Sequence, residues 1–280
     1  MPERARWVGL VEAALAEDLG SGDLTSEATI PAGSSGEARI EAREPLVVAG
    51  IEVAAEVFAQ LEVEYTAQSA DGDQIAAGAI LAQVCGPSRG ILAGERTALN
   101  FLQRLSGVAT GTARFVAAVA GTRARIFDTR KTTPGWRVLE KFAVRCGGGF
   151  NHRLGLYDGI LIKDNHLRAV GDLACAVKSA RAAARGALAV QVEVESWDEA
   201  RDAIAAGADR LLIDNQPPEA IAEITRRIAG RVPVEATGGI RLDSVARIAA
   251  TGVDRISVGA LTHSAAAVDI ALEWNAPSSI

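Results

Sequence analysis

Ten of the chain's basic residues and two of its three histidines, His152 and His166, fall between Arg123 and Arg168, a stretch with only four acids. That window carries a net charge of about +6 inside a chain of net −6. Solubility needs only mixed surface charge, so this segregation points to a fixed site for a strongly anionic ligand. In Asp128-Thr129-Arg130-Lys131 the arginine's planar fork suits two-point capture of a carboxylate or phosphate, and the lysine adds a mobile point charge. A solvated basic face is the competing reading of the charge count alone.

Further candidates surround this pair. In Gly147-Gly148-Gly149-Phe150-Asn151-His152-Arg153 the glycines let backbone N–H groups approach a ligand, and they deliver His152 and Arg153 directly after the turn. Lys163 closes the apolar run Gly159-Ile160-Leu161-Ile162, where an ammonium has to face an anion or a polar mouth. The same lysine could serve as a Schiff-base nucleophile, the main mechanistic rival. Glu193 and Glu195 share one face of a strand and Asp214 ends the next. Glu193 and Asp214 suit ribose hydroxyls or a magnesium ion, while Glu195 could equally be solvated. Thr237-Gly238-Gly239 and Gly259-Ala260 follow the last two strand candidates, a usual resting place for phosphate in barrels.

The elements that position these residues repeat from about residue 124: a short β-branched run, a polar or glycine-rich end, then an alanine-rich helical pattern. Strands are expected at 124–128, 159–163, 189–195, 210–214, 232–236 and 255–259, with helices at 171–185, 197–206, 218–229 and 242–251. This alternation predicts an α/β fold with a parallel β/α barrel, because Asp128, Lys163, Glu193, Asp214, Thr237 and Gly259 would converge on one mouth. An open doubly wound sheet is the alternative. Upstream, helices at 3–18 and 53–61 and strands at 36–44, 61–69 and 79–86 do not alternate in this way. They predict an α+β module, with a helix at 96–105 that could bridge it to the barrel.

About half of the 280 residues are apolar, enough for a large core. With a pI near 5.3 and no basic tail, wholesale nucleic-acid binding is excluded in favour of a compact anionic small molecule. Cys85, Cys146 and Cys175 share no metal-ligand spacing, so neither a disulfide framework nor a zinc site is expected, and the cytoplasm is the expected compartment. No run approaches the ~20 apolar residues of a membrane span, and no targeting segment is read at the N-terminus.

These pieces, in this order, resemble the quinolinate phosphoribosyltransferases. The resemblance runs from Asp18-Leu19-Gly20-Ser21-Gly22-Asp23-Leu24-Thr25-Ser26, through Gly94-Glu95-Arg96-Thr97 and residues 128–141, to Val258-Gly259-Ala260-Leu261-Thr262-His263-Ser264. Asp-Thr-Arg-Lys-Thr-Thr-Pro-Gly and Leu-Ile-Lys-Asp-Asn-His are together its most specific part. Thr237 departs from the family's usual serine but keeps the hydroxyl.

By this resemblance the fold is an N-terminal α+β sandwich domain, residues 1–106 joined by 268–280, followed by an open parallel β/α barrel of about six strands, 107–267. The implied reaction joins quinolinate to phosphoribosyl pyrophosphate with Mg2+, releasing pyrophosphate and carbon dioxide and leaving nicotinate mononucleotide for NAD biosynthesis. It implies substrate contacts from Arg96, Thr129, Arg130, His152, Arg153, Lys163, Thr237, Gly238, Gly239, Gly259 and Ala260, and catalytic roles for Lys131, Lys163, Glu193 and Asp214. Glu193 and Asp214 would hold the metal, directly or through water. It further implies a homodimer or dimer-based hexamer in which Arg96 completes the neighbouring site. A relative acting on another aromatic acid, a Schiff-base lyase using Lys163 and a non-catalytic anion-binding barrel are the alternatives. His166 and His263 are expected behind the residues that touch ligand.

Overall fold

The computed structural model describes residues 1–275, so residues 276–280 of the segment expected at 268–280 lie outside the described residues. The chain divides into two compact units. Of the described residues, the first holds 1–113, 132–148 and 264–275, and the second 114–131 and 149–263. The helix Ser88–Ala118 runs through the position between residues 106 and 107, extending well beyond the helix expected at 96–105.

In the first unit the sequence supplies strands β1 (Ser35–Ala42), β2 (Leu46–Val47), β3 (Glu64–Ala67), β4 (Gln74–Ile75) and β5 (Ile80–Pro87). β1 alternates exposed and buried positions, as a sheet with one covered face requires. A late strand, Ile270–Trp274, pairs antiparallel with β1, placing the end of the described chain beside its first strand. The four-stranded antiparallel sheet thus orders as Ile270–Trp274, β1, β5, β3. The helix Arg137–Cys146, which charge patterning alone does not reveal, also belongs to this unit. Its Glu140 is fully buried and accepts from Arg104 Nη2 at 2.8 Å and Thr133 Oγ1 at 2.9 Å.

The second unit is built on β6 (Arg125–Phe127), β7 (Ile160–Ile162), β8 (Val190–Val194), β9 (Arg210–Asp214), β10 (Val234–Thr237) and β11 (Arg255–Ser257). They form one parallel sheet in the order β6, β11, β10, β9, β8, β7. Every residue of β8 is buried, as parallel strands covered on both faces must be. The crossover helices carry their own start and stop signals. Ser196 Oγ accepts from the Glu199 amide at 3.2 Å ahead of Trp197–Ala206, and Gly207 ends that helix at φ +99°.

The sheet stays open between β6 and β7, which do not pair. Phe150 takes that seam by forming a parallel bridge to Phe127. Its amide donates to Ile126 O at 2.8 Å and its carbonyl accepts from the Asp128 amide at 3.0 Å. Hence the glycine-rich segment reaches the barrel mouth as an extension of the wall.

Candidate active site

The parallel register places Thr237 beside Asp214 at the C-terminal ends of β10 and β9. Because side chains of a strand alternate in direction, residues two apart share the interior face. Leu161 and Lys163, Leu212 and Asp214, Glu235 and Thr237, and Ser257 and Gly259 all line one cavity of about 770 Å³. That volume lies within the range of ligand pockets and leaves room for two small molecules side by side.

The cavity lies wholly in the second unit. It gathers Thr129, Arg130, Lys131, His152, Arg153, Lys163, Asp214, Thr237, Gly238, Gly239, Gly259 and Ala260, twelve of the fourteen residues singled out from sequence. Glu193 stands behind this lining: it is buried and accepts from Lys163 Nζ at 2.7 Å. Arg96 is an exposed residue of Ser88–Ala118 in the first unit.

Of the ten basic residues between 123 and 168, only Arg130, Lys131, Arg153 and Lys163 line the cavity. The other six are engaged elsewhere: Arg123 pairs with Asp254, Arg125 lies over the Phe150 ring, Arg137 donates to Thr132 Oγ1, Arg145 lies over the Phe142 ring, Arg168 pairs with Asp164 and Lys141 is buried. The charge window located the site but overstated its membership.

Local geometry fixes each cation. Thr129 Oγ1 accepts from the Lys131 amide at 3.0 Å, turning the chain directly after β6. Asp128, fully buried, accepts from Asn151 Nδ2 at 2.6 Å and the His152 amide at 2.8 Å, tying the glycine-rich segment to the end of β6. Arg153 donates through Nη1 to Gly159 O at 3.0 Å. Its guanidinium is held below the ordinary value, first by burial and then by the like charge of Arg130. An anion between the two relieves that repulsion. Lys163 sits at the start of the helix Asp164–Val170, and His166 Nδ1 accepts its amide at 3.0 Å. His166 therefore steers the lysine from behind, while His263 lines the cavity itself.

The glycine turn after β10 bends sharply, with φ +94° at Gly238 and +58° at Gly239. A Cβ at Gly238 would meet Asn215 Oδ1 at 2.3 Å, so only glycine fits there. Thr237 Oγ1 donates to Ser257 O at 3.2 Å, tying the ends of β10 and β11 together.

Sequence reasoning missed Glu235, Ser257, Asn215 and Arg241, all of which line the cavity. The strand period of two carried the signal for the first two. Each lies two residues before a strand-end residue already read as functional.

Comparison with known proteins identifies the family. The family model for the quinolinate phosphoribosyl transferase C-terminal domain matches residues 108–273, and that for the N-terminal domain matches 23–106. A Bacillus subtilis (strain 168) protein, described as a probable nicotinate-nucleotide pyrophosphorylase (carboxylating), is 45% identical over 92% of this chain and 89% of its own. The Mycobacterium leprae (strain TN) nicotinate-nucleotide pyrophosphorylase (carboxylating) is 44% identical over 94% of this chain and 95% of its own. The solved nicotinate-nucleotide pyrophosphorylase from Francisella tularensis superposes with a TM-score of 0.93 at 39% identity, covering 98% of each chain. The chain belongs to the quinolinate phosphoribosyltransferase family.

Proposed function

We propose that the chain transfers the phosphoribosyl group of phosphoribosyl pyrophosphate to quinolinate with decarboxylation, giving nicotinate mononucleotide, pyrophosphate and carbon dioxide, a step of NAD biosynthesis. The observation that carries this reading is one cavity in which Arg130, Lys131, Arg153 and Lys163 face two glycine turns at strand ends. Cations for an aromatic diacid and bare amides for a sugar phosphate meet in a single space.

Quinolinate carries adjacent carboxylates, which Arg130, Arg153 and His152 are placed to hold in one pose. Its ring nitrogen is the nucleophile. As that nitrogen bonds to the ribose carbon and the bond to pyrophosphate breaks, the sugar passes through oxocarbenium character, so the protein's work is positioning and charge stabilisation. Lys131 and Lys163 neutralise pyrophosphate and carboxylate oxygens, Asp214 holds ribose hydroxyls, and the 5′-phosphate rests on Thr237, Gly238, Gly239, Gly259 and Ala260. Carbon dioxide then leaves, the electron pair it leaves on the ring carbon is stabilised by the adjacent quaternised nitrogen, and a proton from water takes the vacated position. A Schiff-base role for Lys163 needs a free amine, whereas its Nζ is held by Glu193.

Among the described residues no three His, Cys, Asp or Glu side chains converge into a metal cage, and Glu193 is occupied by Lys163. The donor set fits a magnesium ion that arrives on substrate oxygens and takes one or two protein carboxylates. Asp214 would hold it, with Glu193 in reserve behind Lys163. Such an ion, when bound, would neutralise charge on the leaving pyrophosphate. In a dimer, Arg96, exposed on its helix, would complete the partner's cavity.

The assay is carbon dioxide release from carboxyl-labelled quinolinate. Release that requires phosphoribosyl pyrophosphate and yields stoichiometric pyrophosphate is the expected result. No release, or pyrophosphate release with a different aromatic acid instead, overturns the assignment. Among the described residues no helix is long and apolar enough to cross a membrane.

A further inference from the structure

At the floor of the cavity lies a carboxylate that the mechanism above does not use. Glu235 is only 1% exposed, and each of its oxygens meets two groups. Oε1 accepts from the Ser257 hydroxyl and lies 3.4 Å from His152 Nε2. Oε2 accepts from Gln191 Nε2 at 3.0 Å and lies 3.1 Å from Arg255 Nε. These neighbours come from β8, β11 and the segment after the Phe150 bridge. Burial alone pushes the Glu235 carboxyl up, but His152, Arg255 and Ser257 outweigh it and lower its pKa to about 2, so it is ionised.

His152 is held from two further directions. Its Nδ1 accepts from the Arg153 amide at 2.8 Å. Two contacts act together on the neutral ring: the Arg153 amide favours a bare Nδ1, and the facing Glu235 carboxylate favours a proton on Nε2. The His152 amide in turn donates to Asp128. The other charged side chains lining the cavity are Arg130, Lys131, Arg153, Lys163, Arg241 and Asp214.

We propose that Glu235 is a positioning residue for the aromatic acid: it fixes His152 in one tautomer and one ring orientation, and through the Nδ1 bond it fixes the Arg153 backbone. This rests on the reading that His152 and Arg153 hold quinolinate. The four neighbours also explain why a carboxylate stands here. All of them are donors, and an amide in its place would turn an NH2 group against two of them.

The test uses the chain's having only three histidines. In ring-¹⁵N spectra of the full-length protein at mildly alkaline pH, His152 shows a protonated Nε2 and a bare Nδ1. In Glu235→Gln that signal becomes a tautomer mixture, while those of His166 and His263 stay put. No substrate is needed, so this readout stands or falls separately from the assigned reaction. With substrates, KM for quinolinate rises about tenfold in Glu235→Gln while kcat and KM for phosphoribosyl pyrophosphate move less than about twofold. On a His152→Ala background the same substitution adds nothing further. An unchanged His152 tautomer in folded Glu235→Gln, or an effect that adds fully to His152→Ala, overturns the proposal. Should Glu235→Gln not fold, Glu235→Asp keeps the charge but withdraws it from the ring, and the same two outcomes decide.

Discussion

Lys163 Nζ donates to Glu193 Oε2 at 2.7 Å, and the pair is lopsided: the carboxylate side chain is 8% exposed and the ammonium side chain 46%. Glu193 is thus the anchor and Lys163 the group presented to ligand. In Lys163→Ala turnover should fall by two or more orders of magnitude. Because Glu193 is left buried without its cation, stability should also drop by about 1 kcal/mol, the low end of such losses since the lysine is half exposed. Steady-state kinetics and thermal unfolding of the same sample check both. Near-normal turnover would remove Lys163 from the machinery.

Arg130 and Arg153 oppose each other electrostatically in the free protein, so a dianion should stabilise it more than a monoanion of the same ring. Quinolinate is expected to raise the melting temperature more than nicotinate does, and Arg130→Ala should abolish most of that difference. At a hundredfold excess over Kd the gain is about 2.7 kcal/mol. Equal shifts for both acids would argue against recognition of a diacid.

Glu235 is ionised far below the ordinary carboxyl range, so its contribution to stability has a definite sign with pH. The contribution is complete above the ordinary value of 4.5 and is lost as pH falls through about 2. Wild type should therefore lose stability across that acid window more steeply than Glu235→Gln, measured as urea midpoints at successive pH values. Parallel curves would mean that the carboxylate is not preferentially ionised in the fold.

Gly238 combines φ +94° with a 2.3 Å approach of its would-be Cβ to Asn215 Oδ1. Gly238→Ala should cost roughly 1–3 kcal/mol through the strained backbone. It should also raise KM for phosphoribosyl pyrophosphate more than for quinolinate, because the turn faces the expected phosphate site. A selective rise in the quinolinate KM would reverse the placement of the two substrates.

Arg96 is tested by complementation. Chains carrying Arg96→Ala, mixed with chains carrying Lys163→Ala, should recover part of the lost activity if each cavity takes its arginine from a neighbour. Proven hybrid dimers with no recovery would mean that each site is built from one chain.

Strand ends were the legible part of this site. Asp128, Lys163, Asp214, Thr237 and Gly259 each follow a β-branched run, and a parallel fold forces such ends together whatever the distances along the chain. Glu235 was not legible in the same way. A carboxylate inside an apolar run reads as an error until Gln191, His152, Ser257 and Arg255 are seen around it, and these lie up to 83 residues away. The helix Arg137–Cys146 was hidden for a similar reason. Its Glu140 and Lys141 look solvated by composition, yet both are buried, Glu140 against Arg104 far upstream.

The unpaired seam between β6 and β7 carries a consequence for the family's chemical range. His152 and Arg153 follow a single bridge at Phe150 rather than standing within a strand hydrogen-bonded on both edges. Residues at such a hem can be exchanged, or shifted by an insertion, without unravelling the weave. Appetite for a new aromatic acid could thus be acquired by rewriting one short stretch, while the side proposed for the sugar phosphate stays stitched into β10 and β11.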